Sequence, residues 1–325
     1  MTNSLEVTWR LDDITMRGTL TLPADDGPFP AVVLVAGSGP TDRDWCSPLL
    51  PGANGSGRLF AEAFADACIA SLRYDKRASG ADVVESARAL FGKLSMRSHL
   101  EELVAAVGIL AEHDDINAAR IAGLGNSEGT LHILHYVTSQ QDTPFAGIVL
   151  AAPPGRSVGE LLLAQLALQA AQVPGGAEFM PAVEGAATRY GAGQPMNVDP
   201  HLPDSVKMVL ASFESPANLP LARELWTENA AILLPKVEIP TLILIGCKDL
   251  QVDATADGKA LEVAATRKDN VTFAYPPNAN HVFKEDARPL AEILTAPGTG
   301  YNEDGTHLDP EALETILDWL HKVFI

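Results

Sequence analysis

The chain has 325 residues, 46% of them hydrophobic, with 23 lysines and arginines against 42 aspartates and glutamates, a formal net charge of −19. Such a chain can bury a large core, as one domain carrying an insertion or as two small ones. The acidic balance offers no basic footprint for phosphates, which argues against a nucleic-acid partner and against adsorption to an anionic membrane.

The first thirty residues lack a basic leader and a continuous apolar run, so no secretory signal is readable and a cytoplasmic protein is expected. Two alternating segments, LEVTWRL and ITMRGTLTLPA, read as antiparallel strands joined by a turn at Asp12 and Asp13. After them the pattern changes. AVVLVAG, IASLRYD, ARIAGLG, FAGIVLAAP, TLILIG and VTFAYP are short apolar runs rich in β-branched residues, as expected of strands buried on both faces. Helical patterns lie among them: GRLFAEAFADAC, MRSHLEELVAAVGILAEH, EGTLHILHYVTSQ, ATADGKALEVAATR and PEALETILDWLHKVF. Alternation of this kind predicts an α/β fold, a mostly parallel sheet with helices on both faces and the two N-terminal strands as an antiparallel edge.

From Pro153 to Pro235 the rhythm stops, and only helical pieces appear, separated by VPGG, YGAGQP and SPANLP. An excursion of that length between two strands predicts a helical cap (153–235) on a core made of 1–152 and 236–325. Its most apolar stretch, LLLAQLALQAAQV from Leu161, is interrupted by glutamines and too short to span a bilayer. It could line a pocket or pack on the sheet. Trp45 and Trp226 are open to the same two readings. The segment from Thr295 to Pro310 reads as a long polar loop. Cys46, Cys68 and Cys247 are widely spaced and odd in number, which argues against a disulfide framework.

Chemistry concentrates where strands end. Gly125-Asn126-Ser127-Glu128-Gly129 matches the pattern G-x-S-x-G, with the strand ARIAGLG before it and a helical pattern after it. A serine at such a junction adopts a strained backbone, and the flanking glycines let strand and helix approach closely. A serine hydroxyl needs a base to take its proton, and the base needs an orienting acid. Asp249 lies just past TLILIG and His281 just past VTFAYP, giving the order serine, acid, histidine along one sheet edge. Asp253 is the alternative acid. Oxyanion donors are expected from the backbone N–H of Glu128 and from the loop Gly37-Ser38-Gly39, with Ser38 favoured and Gly39 the alternative. His132 and His135 could share a helix face, but no third ligand is evident, so an ordinary helix surface is expected and no metal. His99, His113, His201, His307 and His321 read as structural or solvated.

With these motifs in view the sequence resembles the α/β-hydrolase superfamily, and within it bacterial carboxylesterases with dienelactone-hydrolase-like sheets. The likeness is carried by VLVAGSGPTDRD, LRYDKRASG, GLGNSEGT, PTLILIGCKDLQV and NANHVFKED. The resemblance implies an eight-stranded sheet, a triad of Ser127, Asp249 and His281, and hydrolysis of small-molecule esters through an acyl-enzyme without a cofactor. A thioesterase or peptidase on the same triad, or a ligand-binding protein of the same fold, are the alternatives. Two departures stand out. Many relatives carry histidine where this chain has Asn126, and relatives often have DKRG where Arg77 is followed here by Ala78. Arg43, Asp44, Asp75 and Arg77 are expected to form structural ion pairs at the sheet edge. The acidic surface would slightly disfavour strongly anionic substrates.

Overall fold

The structure, a computed structural model, describes residues 3–81, 83–139 and 141–325. Met1 and Thr2, at the start of the thirty residues read for a signal, and Gln140, the last residue of the third helical pattern, lie outside the described residues. The strands are β1 (Asn3–Leu11), β2 (Ile14–Leu22), β3 (Phe29–Val35), β4 (Ala70–Tyr74), β5 (Ile116–Asn126), β6 (Gly147–Ala151), β7 (Thr241–Leu244) and β8 (Val271–Ala274). They form one eight-stranded sheet in the order β1-β2-β4-β3-β5-β6-β7-β8. β1 and β2 pair antiparallel, β2 meets β4 antiparallel, and every later pairing is parallel. The antiparallel edge expected from the alternating N-terminal segments is therefore present, turning at Asp12, whose φ is +53°.

The helices are α1 (Ser56–Asp66), α2 (Val83–Ala89), α3 (Met96–Ala111), α4 (Glu128–Thr138), α5 (Val158–Ala170), α6 (Gly176–Gly191), α7 (Asp204–Glu214), α8 (Leu221–Leu225), α9 (Ala230–Leu233), α10 (Ala256–Ala264), α11 (Leu290–Ile293) and α12 (Pro310–Phe324). The central strands are buried along their whole length, from Ala31 to Val35 in β3 and throughout β4 and β6. Unbroken apolar runs are what a strand covered by helices on both faces requires. Capping marks several helix starts. Ser95 and Ser157 each form a reciprocal capping box, with Ser98 and Glu160, and Asp309 caps α12.

Between β6 and β7 the chain is helical, as the sequence predicts, and part of it has a core of its own. Leu166, Val183, Tyr190, Leu210 and Trp226 bury one another there, with the Trp226 ring 4.7 Å from Tyr190 and 5.2 Å from Phe213. Trp226 is thus a core residue of this helical unit. Trp45 is likewise packed inside, edge-on to Phe60 at 5.7 Å. The polar segment 295–310 is tied down. Asn54 Nδ2 donates to the carbonyls of Glu303 and Thr306, and the buried Lys284 ammonium donates to Thr306 Oγ1 and to the Asn54 carbonyl.

Register fixes where the loops gather. Val35 pairs with Gly125, Asn126 with Ala151, Ala151 with Leu244, and Leu244 with Ala274. The C-terminal ends of five parallel strands therefore lie along one row. The segments beginning at Ala36, Ser127, Ala152, Ile245 and Tyr275 all leave the sheet from that edge, the usual place for a site in an open α/β sheet.

Candidate active site

The turn at Ser127 is built by its glycines. A Cβ added to Gly125 would lie 2.4 Å from the carbonyl oxygen of Gly129, and one added to Gly129 would lie 2.4 Å from that of Val35. Nothing larger fits where α4 starts against β5 and β3. Ser127 itself has φ +54° and ψ −121°, a region costly for a side chain with a Cβ. The surroundings hold it there. Its N–H donates to Ala151 O at 2.8 Å, and its carbonyl accepts from Thr130 N and from Thr130 Oγ1.

His281 and Asp249 meet 2.8 Å apart, Nδ1 to Oδ2, and both are buried. The second oxygen of Asp249 accepts the amides of Gln251 at 2.7 Å and Val252 at 3.0 Å, so the carboxylate has a fixed orientation. Asp253, the alternative acid, is engaged elsewhere. Its Oδ1 accepts from Thr255 N and Ala256 N and caps the turn entering α10. Asn126, where many relatives carry histidine, donates from Nδ2 to His281 O at 3.0 Å. It ties the histidine's loop to the strand that carries the serine.

A cavity of about 200 Å³ opens at this place, bordered by Ser38, Ser127 and Glu128 on the sheet side. Ser38 borders it and Gly39 does not. Its other wall is apolar and comes from the helical excursion. Leu161, Leu162 and Gln165 of α5 contribute, with Phe213 and Leu225, while Leu166 on the same helix packs into the excursion's own core. The stretch from Leu161 thus both lines a pocket and packs inward. Gln165 Nε2 donates to Gln251 O at 3.2 Å, linking the excursion to the segment beside Asp249.

Behind the serine lies a buried polar network. Lys76 contacts Glu128 Oε1 at 3.3 Å, which also meets His132 Nε2 at 3.1 Å. The His132 ring stacks obliquely on His99 at 4.7 Å, His99 Nδ1 meets Glu102 at 3.0 Å, and Glu102 binds Arg77 Nε at 2.7 Å. The expected surface position of His132 is wrong. α4 is buried on nearly every side between the sheet and its neighbouring helices, and His132 is only 1% exposed. Burial pushes its imidazole down to about 4. Burial alone would raise Glu128, but Lys76 and His132 hold it well below the usual carboxylate range. Donor atoms of His99, Glu128 and His132 lie within 4.8 Å of one another. A divalent cation would leave excess positive charge there, because Lys76 and Arg77 already match the two carboxylates.

Ion pairs form at the sheet edge as well. Arg43 binds Asp75 through Nε and a terminal nitrogen at 3.0 and 2.8 Å, and Arg73 binds Asp44 at 2.9 Å. Ala78, where relatives often have glycine, sits at φ +66°. Lys76, Gln165 and Gln251 lie around the candidate site and carry no motif that singles them out, and Asn126 stands in the motif without its partner being readable. Their partners lie up to 155 residues away along the chain, brought near by the sheet register and by the packing of α5 over the strand ends.

The comparisons agree with this architecture. No helix among the described residues is long and apolar enough to cross a membrane. The chain is 33% identical over 157 residues to the esterase EstD of Thermotoga maritima, a match covering 47% of this chain and 35% of that protein. The match thus spans about a third of that relative's length. Among solved structures, the α/β hydrolase GrgF of a Penicillium species superposes with a TM-score of 0.58 at 18% identity, covering 100% of this chain and 99% of the other. A dienelactone hydrolase from Anabaena variabilis gives 0.55 at 15% identity, covering 100% and 99%. These structures share the fold. The family model described as the alpha/beta hydrolase family matches residues 32–315, and the chain belongs to that family.

Proposed function

We propose that the protein is a serine hydrolase of carboxylic esters, with Ser127 as nucleophile, His281 as base and Asp249 as the acid that orients it. The observation that carries the reading is the strained Ser127 bordering the cavity, on the same row of strand ends as the segments that carry a buried His281–Asp249 pair 2.8 Å apart. With Nδ1 held by Asp249, Nε2 is the nitrogen left to take the serine proton. His281 takes the hydroxyl proton as Oγ attacks the acyl carbonyl, and Asp249 stabilises the imidazolium that forms. The amides of Ser38 and Glu128 receive the oxyanion. His281 returns its proton to the departing alcohol, leaving Ser127 acylated. Water then repeats the sequence, its proton going to His281 and on to Ser127 as the acid leaves.

In this reading residues 153–235 act as a cap whose α5 leucines hold the apolar part of the substrate. A cavity of about 200 Å³ suits a short acyl chain. The relative named as an esterase supports an ester over a thioester or a peptide. The test is covalent. A p-nitrophenyl alkylphosphonate should add once to the protein with release of one equivalent of p-nitrophenolate, and peptide mass spectrometry should place the adduct on Ser127. An adduct on another residue, or none, would overturn the assignment.

A further inference from the structure

The two amides proposed to hold the oxyanion share one side chain behind them. Lys76 follows β4, and its side chain is 3% exposed. Its ammonium donates to the carbonyl of Gly37 at 2.5 Å and contacts the Glu128 carboxylate at 3.3 Å. Gly37 O and Ser38 N–H belong to the same planar trans peptide and point in opposite directions. Whatever fixes the carbonyl toward Lys76 fixes the N–H on the other side, and Ser38 is the residue of this loop that borders the cavity. A cation on the carbonyl also polarises the amide and makes its N–H a stronger donor.

We propose that Lys76 is a positioning residue for the oxyanion hole: its ammonium anchors the Gly37–Ser38 peptide with the N–H aimed into the cavity, and holds the Glu128 side chain at the start of α4, where the second amide lies. This rests on the serine-hydrolase reading and adds to it the residue that sets the geometry of both donors. The rest of the network serves the same end. His132 and His99 fill the space beneath Glu128, and Arg77 neutralises Glu102, so Lys76 is left to Glu128 and Gly37. Without it the buried Glu128 carboxylate would be unpaired at the edge of the cavity, adding negative charge where the transition state develops its own.

The test compares the native protein with Lys76→Met. Because an unpaired Glu128 can itself prevent folding, the double variant Lys76→Met/Glu128→Gln runs beside it, with no unpaired charge but also no anchor. Three quantities are read: kcat and KM for p-nitrophenyl butyrate, Ki for an alkyl trifluoromethyl ketone that forms a hemiketal with the serine, and Ki for the matching carbinol, which cannot. In whichever variant folds, kcat should fall about 100- to 1000-fold with KM nearly unchanged. Ketone affinity should fall by a similar factor while carbinol affinity stays. Unchanged kcat and ketone affinity in a folded variant would overturn the proposal. So would an equal loss for ketone and carbinol, which would mean that the pocket as a whole is distorted. If the native protein itself binds the ketone no better than the carbinol, the nucleophile reading fails first, and the two failures are told apart.

Discussion

Gly129→Ala is the sharpest structural test of why the serine turn is built from glycines. The added methyl would sit 2.4 Å from Val35 O, 2.8 Å from Ala36 O and 3.0 Å from Val35 C. All three are backbone atoms of β3 or the residue after it, so no side chain can swing aside. Restoring an ordinary contact of 3.4 Å requires the start of α4 to move by about 1 Å from β3. Strain of that kind costs about 1–3 kcal/mol, which urea unfolding resolves. The catalytic loss should be larger than the stability loss suggests. The shift carries Ser127 and the Glu128 amide away from a loop that β3 continues to hold, and a misplacement of about 1 Å is worth about 100-fold in rate. Steady-state hydrolysis of p-nitrophenyl butyrate by the folded variant reads it. Native-like stability together with native-like kcat/KM would refute the close-approach account of this motif.

Asp249→Asn should leave the fold intact and lower kcat about 1000- to 10,000-fold, because the amide disfavours the required imidazole tautomer. Asp253→Ala should instead cost about 1 kcal/mol of stability through loss of its bonds to Thr255 and Ala256, with turnover kept within a few-fold. The imidazole of His132 ordinarily titrates near 6.5 and is held down to about 4 by burial, beside Glu128, His99 and Lys76. The unfolded chain therefore binds a proton that the folded chain refuses. Stability should fall as pH drops from 6.5 to 4, by up to about 3 kcal/mol from this group, and urea midpoints for His132→Gln should be flatter across the window. Below it, Glu128 adds loss in the same direction, since its depressed carboxylate must finally protonate. Gly108→Ala, in α3 with nothing within 4 Å of the new methyl, should raise stability by about 0.5–1 kcal/mol in the same assay.

The parallel strands were legible because burial on both faces leaves an unbroken apolar run, as at Ala31–Val35 and in IVLA of β6. The shared edge of Ser127, Asp249 and His281 was legible for a different reason: each lies in the segment that leaves the C-terminal end of a parallel strand, Ser127 at once and the others within seven residues. Asp249 was preferred to Asp253, four residues on, as the nearer to the strand end, and the hydrogen bonds show that Asp249 is the one that meets His281. What stayed hidden was pairing at long range. Lys76 and Glu128 are 52 positions apart and meet only because β4 and β5 flank β3. His132 looked like a surface residue because spacing on a helix says which residues share a face, and α4 is covered on nearly all of its faces. Trp226 could not be assigned to pocket or core from sequence, because its partners Tyr190 and Phe213 come from separate helices of the excursion.

The proposed role of Ser127 as nucleophile can be put to a single comparison. Hydrolysis of p-nitrophenyl acetate and butyrate by the native protein and by Ser127→Ala, both shown folded by circular dichroism, tests it most directly. The native protein should turn over rapidly and the variant fall to background, at native stability or slightly above as the turn loses a hydroxyl it does not need for folding. Equal rates from the two proteins would contradict that role.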